Sequence, residues 1–417
     1  MKKHFLVIFI FLLPFIFFSC SGRERDNPLD PLGKFKTPVE LQLLPDGQQV
    51  TLKWNVKDLT DYYGFRIYRA IDDTTSFQLL KEVDPQIKSY TDSSVSFYHW
   101  YFYRVSVLGY QTESKPSKIQ KTLPGPGTIE ILSRYGYSIH EYSYDLLHRI
   151  ELYNTEFPPI NWAWDQINGQ VWLAYAQYRS ISKLNLSLGY EDFFFEDHLL
   201  MPVDLKWDNL NQRLYILDSQ KGKIYTLSQQ TIIDSIDLNE DNYFKMILTP
   251  EQNIATIDSD KVNIYSVDGV ALDTSFLPTA FLGQDLLYDD GNVYILAANI
   301  EDNRSLIRKL QLVSGKHEDT FFDGYFELFT RGSATDYFWA SEFIDINNYR
   351  LVKLSDSGQR LLERTTSSNF SDMQINNIDN SLVTVQRYLN RIALYDSTGS
   401  LISENDDIYD PVKALIQ

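Results

Sequence analysis

Between Thr37 and about Leu123, apolar and polar residues alternate in short runs separated by turn residues. In Val50-Thr51-Leu52-Lys53-Trp54 the strand period of two places Val50, Leu52 and Trp54 on one buried face. Phe65, Ile67 and Tyr68, then Phe77 to Val83, then Tyr101 to Leu108 continue the pattern, which predicts an antiparallel β-sandwich. Arg66, Arg69 and Arg104 alternate outward on the same strands and read as a solvated polar face. Pro124-Gly125-Pro126-Gly127 then breaks the pattern and predicts a stiff hinge.

Beyond the hinge the chain repeats itself. One run recurs at Ile160 to Asp165, Val203 to Asp208, Phe244 to Thr249, Gln284 to Asp289, Phe326 to Arg331, Ser371 to Asn376 and Val412 to Gln417, at spacings of 40 to 45 residues. After each of the first six come a polar turn and a second apolar run, such as QRLYILDS from Gln212 or GNVYILAA from Gly291. A third run such as GKIYTLS follows, then a ragged fourth. Four short strands per period of about 42 residues predict the blades of a β-propeller. The final first strand has nothing after it, whereas Thr128 to Leu132, Ser138 to Tyr144 and His148 to Tyr153 read as second, third and fourth strands with none before them. Joined, they make a seventh, composite blade that closes the ring and satisfies its edges. The expected fold is therefore all-β: a sandwich followed by a seven-bladed propeller, or a six-bladed one if one repeat merges with its neighbour.

The N-terminus carries a different signal. Lys2 and Lys3 precede an apolar run from Phe5 to Phe18, followed by Ser19 and Cys20. The run is shorter than the roughly 20 residues a spanning helix needs, so it reads as a secretory signal over residues 1–19. Cys20 is the only cysteine and so has no internal disulfide partner. Residues 20–36, with charges, two prolines and glycine but no apolar period, read as an extended tether. The whole chain has 38 basic and 56 acidic side chains, a formal charge of -18. Such a body repels nucleic acid and gains little from an anionic lipid surface.

Three resemblances sharpen this outline. Phe17-Phe18-Ser19-Cys20 resembles a bacterial lipoprotein lipobox, which implies that Cys20 is lipidated and that the protein is held at the cell envelope by its N-terminus. Two acyl chains at about 0.8 kcal/mol per buried CH2 make a stable anchor. Ser21, in place of the Asp that would suggest inner-membrane retention, points to the outer membrane, on its periplasmic or outer side. VTLKWN, YGFRIYRA, SYTDSS, YFYRVSVLG and ESKPSKIQ, in that order over residues 37–123, resemble a fibronectin type III domain, and such modules imply a spacer or docking role. Over residues 127–417, WDNLNQRLYILD and YDDGNVYILA resemble the repeats of NHL and YVTN propellers. Trp164-Asp165 and Trp207-Asp208 follow the first strand rather than closing the third, so WD40 repeats do not fit.

Residue chemistry identifies no reaction. HExxH, GxSxG and P-loop motifs are absent, and the six histidines are scattered. Aligning the seven first strands gives one polar column, Asn161, Asp204, Lys245, Asp285, Glu327, Asp372 and Lys413, a candidate ring at the mouth of a central channel. By resemblance to gluconolactonase-like propellers, Asp204, Asp285, Glu327 and Asp372 with Asn161 could hold Ca2+. The simpler reading is a ring in which Lys245 and Lys413 offset the acids. Asp165, Asp208, Asp289 and Asp290 read as turn formers. The consecutive Phe193, Phe194 and Phe195, matched by Phe321 and Phe322, read as rings buried between blades. The leading expectation is a non-enzymatic, lipid-anchored envelope protein whose propeller binds a protein or glycan. The alternative is a lactonase-like or glycan-active enzyme that uses the channel acids.

Overall fold

The computed structural model describes Leu29 and residues 39–56, 62–194, 198–228, 231–238, 240–333 and 335–416. Cys20, the signal, the tether apart from Leu29, and Phe195 lie outside the described residues. The chain divides into two compact units, Met1–Pro124 and Gly125–Gln417.

The first unit contains two antiparallel sheets. One orders Val39–Asp46, Gln49–Val56 and Ser89–Asp92; the other orders Gln78–Val83, Gly64–Ile71, Tyr101–Gly109 and Thr112–Glu113, with Gln120–Thr122 also paired to the Tyr101 strand. The alternation places Val50, Leu52 and Trp54 inside, against Phe65, Ile67, Tyr103 and Val105. Each such side chain contributes about 1.5–3 kcal/mol on burial. The three arginines are not a free basic face. Arg66 bonds Glu82 and Glu113, Arg69 bonds Asp92, and Arg104 stacks over Phe77 and Tyr68. Asp92 also accepts from the Tyr103 hydroxyl at 2.9 Å, tying the two sheets together.

Among the described residues, the second unit holds seven four-stranded antiparallel sheets. Six run in chain order, with first strands Asn161–Asp165, Pro202–Asp208, Lys245–Leu248, Leu282–Asp289, Tyr325–Thr330 and Asp372–Ile375; we number these sheets one to six. The seventh orders Arg149–Asn154, Ser138–Ser143, Thr128–Ser133 and Pro411–Ile416, so its strands come from both ends of the unit. Second strands such as Arg213–Asp218 and Asn292–Asn299 are buried along nearly their whole length because a neighbouring sheet covers each face, and so they read as continuous apolar runs. Fourth strands such as Ala271–Phe276 are largely exposed.

The sheets pack in series. Trp172 and Ile181 of sheet one meet Leu205 and Leu214 of sheet two, and comparable clusters join sheets two to three, three to four, four to five and five to six. Leu132 and Ile139 of the seventh sheet pack on Trp162 and Val171 of the first. Phe193 joins that last cluster and Phe194 the one toward sheet two, so adjacent phenylalanines of one strand fill the two opposite gaps.

The seventh sheet carries one electrostatic oddity. Glu130, Glu141 and Glu151 are direct partners across three adjacent strands, a like-charge row that opposes pairing. Glu130 is buried, its Oε2 has no hydrogen-bond partner, and burial, reinforced by Glu141, pushes its carboxyl up to about 8. An unfolded Glu ionises near 4.3, so between roughly pH 4.5 and 8 the folded state binds more protons and stability falls as pH rises. Glu130→Gln is expected to remove that loss. It should melt near the wild-type temperature at pH 5 and several degrees above it at pH 9, since each pKa unit is worth about 1.4 kcal/mol. Equal shifts at both pH values in thermal melts would contradict this.

Candidate functional site

The first strands of successive sheets contact one another, from Asn161–Asp165 onward to Pro411–Ile416, and are therefore innermost. Their pairing with the second strands fixes the column: Asn161 faces Ala174, Asp204 faces Leu217, Lys245 faces Ile257, Asp285 faces Leu296, Asp372 faces Val385 and Lys413 faces Leu132. In sheet five the equivalent partner, Ser341, faces Leu328. Glu327 is the extra residue of a register shift between Phe326 and Leu328, one step out of the column. Sheets two, four and seven shift at the matching place, at Val203, Gln284 and Val412. A bulge displaces its own residue from the regular face, so aligning the sequences places an acid where the structure has leucine.

The buried acids of the column staple one sheet to the next. Asp204 Oδ2 accepts from the Met246 N–H of sheet three at 2.8 Å, while Oδ1 accepts from Asn161 of sheet one at 2.7 Å and from Lys206 at 2.8 Å. Asp285 takes the Lys245 ammonium of sheet three and the Phe329 N–H of sheet five at 3.3 Å. Asp372 accepts from the Ala414 N–H of the seventh sheet at 2.9 Å. These innermost edges carry N–H groups that would otherwise go unmade. Burial pushes the Asp204 carboxyl up, but the Lys206 and Lys413 ammoniums and its hydrogen bonds outweigh this and hold it below the usual carboxylate range. Lys245 is destabilised by burial yet held above its ordinary value by Asp285. Lys413 is pushed below its ordinary value by burial, which Asp204 and Asp372 only partly oppose.

Glu327 and Lys413 are the two predicted members with no hydrogen bond or ion pair among the described residues. Burial holds the Glu327 carboxyl above its ordinary range. Among the described residues no group of three or more His, Cys, Asp or Glu is arranged to hold a metal ion. Asp204 and Asp285 already spend their oxygens on N–H groups and ammoniums, a donor set unsuited to Ca2+.

Two further features lie outside the polar column. Lys206, two residues after Asp204, is its ion-pair partner. The turn after the first strand forms a relay: Asp165 holds Asn168, which donates to Gln212 of the next sheet, and Asp208 holds Asn211, which donates to Gln252 of the sheet after. The signal was present as Asp-x-x-Asn at Asp165 and again at Asp208.

Serial four-stranded antiparallel sheets, each packed on the next with its first strand innermost, define a β-propeller. No protein-family model matches the chain, and no curated protein matches it in sequence. Solved structures do. A Lactobacillus plantarum protein aligns at a TM-score of 0.56 and 14% identity, over 70% of this chain and 99% of that one. A candidate 6-phosphogluconolactonase from Bacteroides fragilis aligns at 0.54 and 11%, over 70% and 98%. Hydrazine synthase of Kuenenia stuttgartiensis aligns at 0.54 and 8%, over 71% and 93%. At these identities the likeness is one of fold.

Proposed function

We propose that this chain is a lipid-anchored cell-envelope protein, attached through Cys20 and carried at the outer membrane. In this reading a fibronectin type III-like unit over residues 37–123 acts as a spacer. The seven sheets from about residue 127 form a seven-bladed propeller that binds a protein or glycan partner without chemistry. The observation that carries the non-catalytic reading is the use made of the inner polar column: Asp204, Asp285 and Asp372 are committed to bonds between neighbouring sheets.

The enzyme reading draws on Glu327, half-buried, unpartnered among the described residues and held toward its neutral form. Such a carboxyl is suited to general acid chemistry. The two readings separate in one assay. The purified chain is offered sugar lactones and turnover is followed by pH-stat. The binding platform predicts no turnover above the uncatalysed rate. A measurable rate that drops at least a hundredfold in Glu327→Gln, with Asp204→Asn and Asp285→Asn as companions, would establish the enzyme instead. Calorimetric titration with Ca2+ is expected to give no heat at millimolar metal.

A further inference from the structure

Three loops of sheets six and seven meet around one carboxylate. Asp410, just before the closing strand, accepts from Arg387 Nε at 2.5 Å and from the Tyr135 N–H at 3.2 Å, and its own N–H donates to Asn390 at 2.9 Å. The Arg134 N–H donates to the Asp410 carbonyl at 3.0 Å, and Ser133 Oγ donates to the Tyr409 carbonyl at 2.5 Å. These bonds hold together the loops that carry three tyrosines. The Arg387 guanidinium lies 5.6 Å from both the Tyr135 and Tyr388 rings, and Arg134 lies 4.9 Å over Tyr135. The rings remain open to solvent, Tyr135 at 41%, Tyr388 at 74% and Tyr409 at 62%.

Arg387 has Asp410 as its counter-ion. Arg134 has no carboxylate partner among the described residues, and its Nε is buried without an acceptor. An exposed aromatic face is what the C–H face of a pyranose ring stacks on, and a guanidinium fork matches a carboxylate. The net charge of -18 disfavours a polyanion. We propose that Tyr135, Tyr388 and Arg134 form a binding site for a glycan carrying a single acidic sugar, the rings stacking on the pyranose and Arg134 pairing with its carboxylate. This rests on the binding-platform reading and names its ligand class and its face.

The test is isothermal titration of the full chain in detergent micelles with two matched probes: aldotetraouronic acid, which bears one carboxylate, and neutral xylotetraose. The acidic probe is expected to bind at least tenfold more tightly at low salt, with the gap closing in 1 M salt. Arg134→Gln should erase the preference. Tyr388→Ala should weaken both probes at least tenfold while melting as the wild type does, and Tyr388→Phe should restore binding. Equal affinity for the two probes, absence of binding, or binding that Arg134→Gln and Tyr388→Ala leave unchanged overturns the proposal. A protein ligand lost in Tyr388→Ala, with no sugar affinity, also overturns it and leaves the platform reading intact. Lactone turnover lost in Glu327→Gln removes the platform reading by a separate route.

Discussion

A chain ending at Asp410 is expected to lose the cooperative unfolding transition of its second unit. The missing strand, Pro411–Ile416, pairs along Thr128–Ser133 from Pro411 opposite Ser133 to Ile416 opposite Ile129. It also buries Ala414 and supplies the N–H that Asp372 accepts. Without it the edge of Thr128–Ser133 stands unpaired, an invitation to aggregate. Calorimetry should show the second unit's heat absorption vanish. A synthetic peptide of the last seven residues, added in excess, should restore part of it by mass action. A truncated chain that melts cooperatively within a few degrees of the full one would show that the closing strand is dispensable.

The second large effect is expected at Asp204. Its carboxylate holds groups from three sheets, Asn161, Lys206 and the Met246 N–H, in a site only 1% exposed. Asp204→Ala leaves the Lys206 ammonium without its counter-ion and the buried Met246 N–H without an acceptor, and breaking a buried pair in this way costs about 3–5 kcal/mol. For a unit of this size that is a fall in melting temperature of roughly 5–8 °C. Asp204→Asn keeps an acceptor for the Met246 N–H and should lose less. Because the folded carboxyl lies below its unfolded value, its contribution is present above the unfolded pKa and is lost as pH falls through the folded one. The difference between wild type and Asp204→Ala should therefore shrink in melts below about pH 4. An undiminished difference there would mean that the ion pair is not its source.

Much of this fold was legible in the sequence because a propeller writes its period into the chain. The second strands are covered on both faces, so runs such as VWLAY and LYIL stand out at regular intervals. The unmatched half-repeats at the two ends named the composite sheet, and Thr128–Ser133 does pair with Pro411–Ile416. What escaped was local. In sheet five the polar residue sits on the bulge and the column residue is apolar, so an alignment by polarity chose Glu327 where Leu328 completes the column. Polarity marked Asp204, Asp285 and Asp372 as special, but a strand edge that needs an acceptor asks for the same side chains as a metal does. Only the direction of the neighbouring N–H groups separates the two demands. The Tyr135 and Tyr388 array was invisible for another reason: its members lie about 250 residues apart and meet only because the ring closes between them.

That closure also imposes an order in time. The strands from Thr128 to Asn154 are made early in the second unit and their partner last, with nearly the whole propeller synthesised in between. Contacts of such long sequence separation form slowly. The seventh sheet is therefore expected to set after the six whose strands are contiguous in the chain.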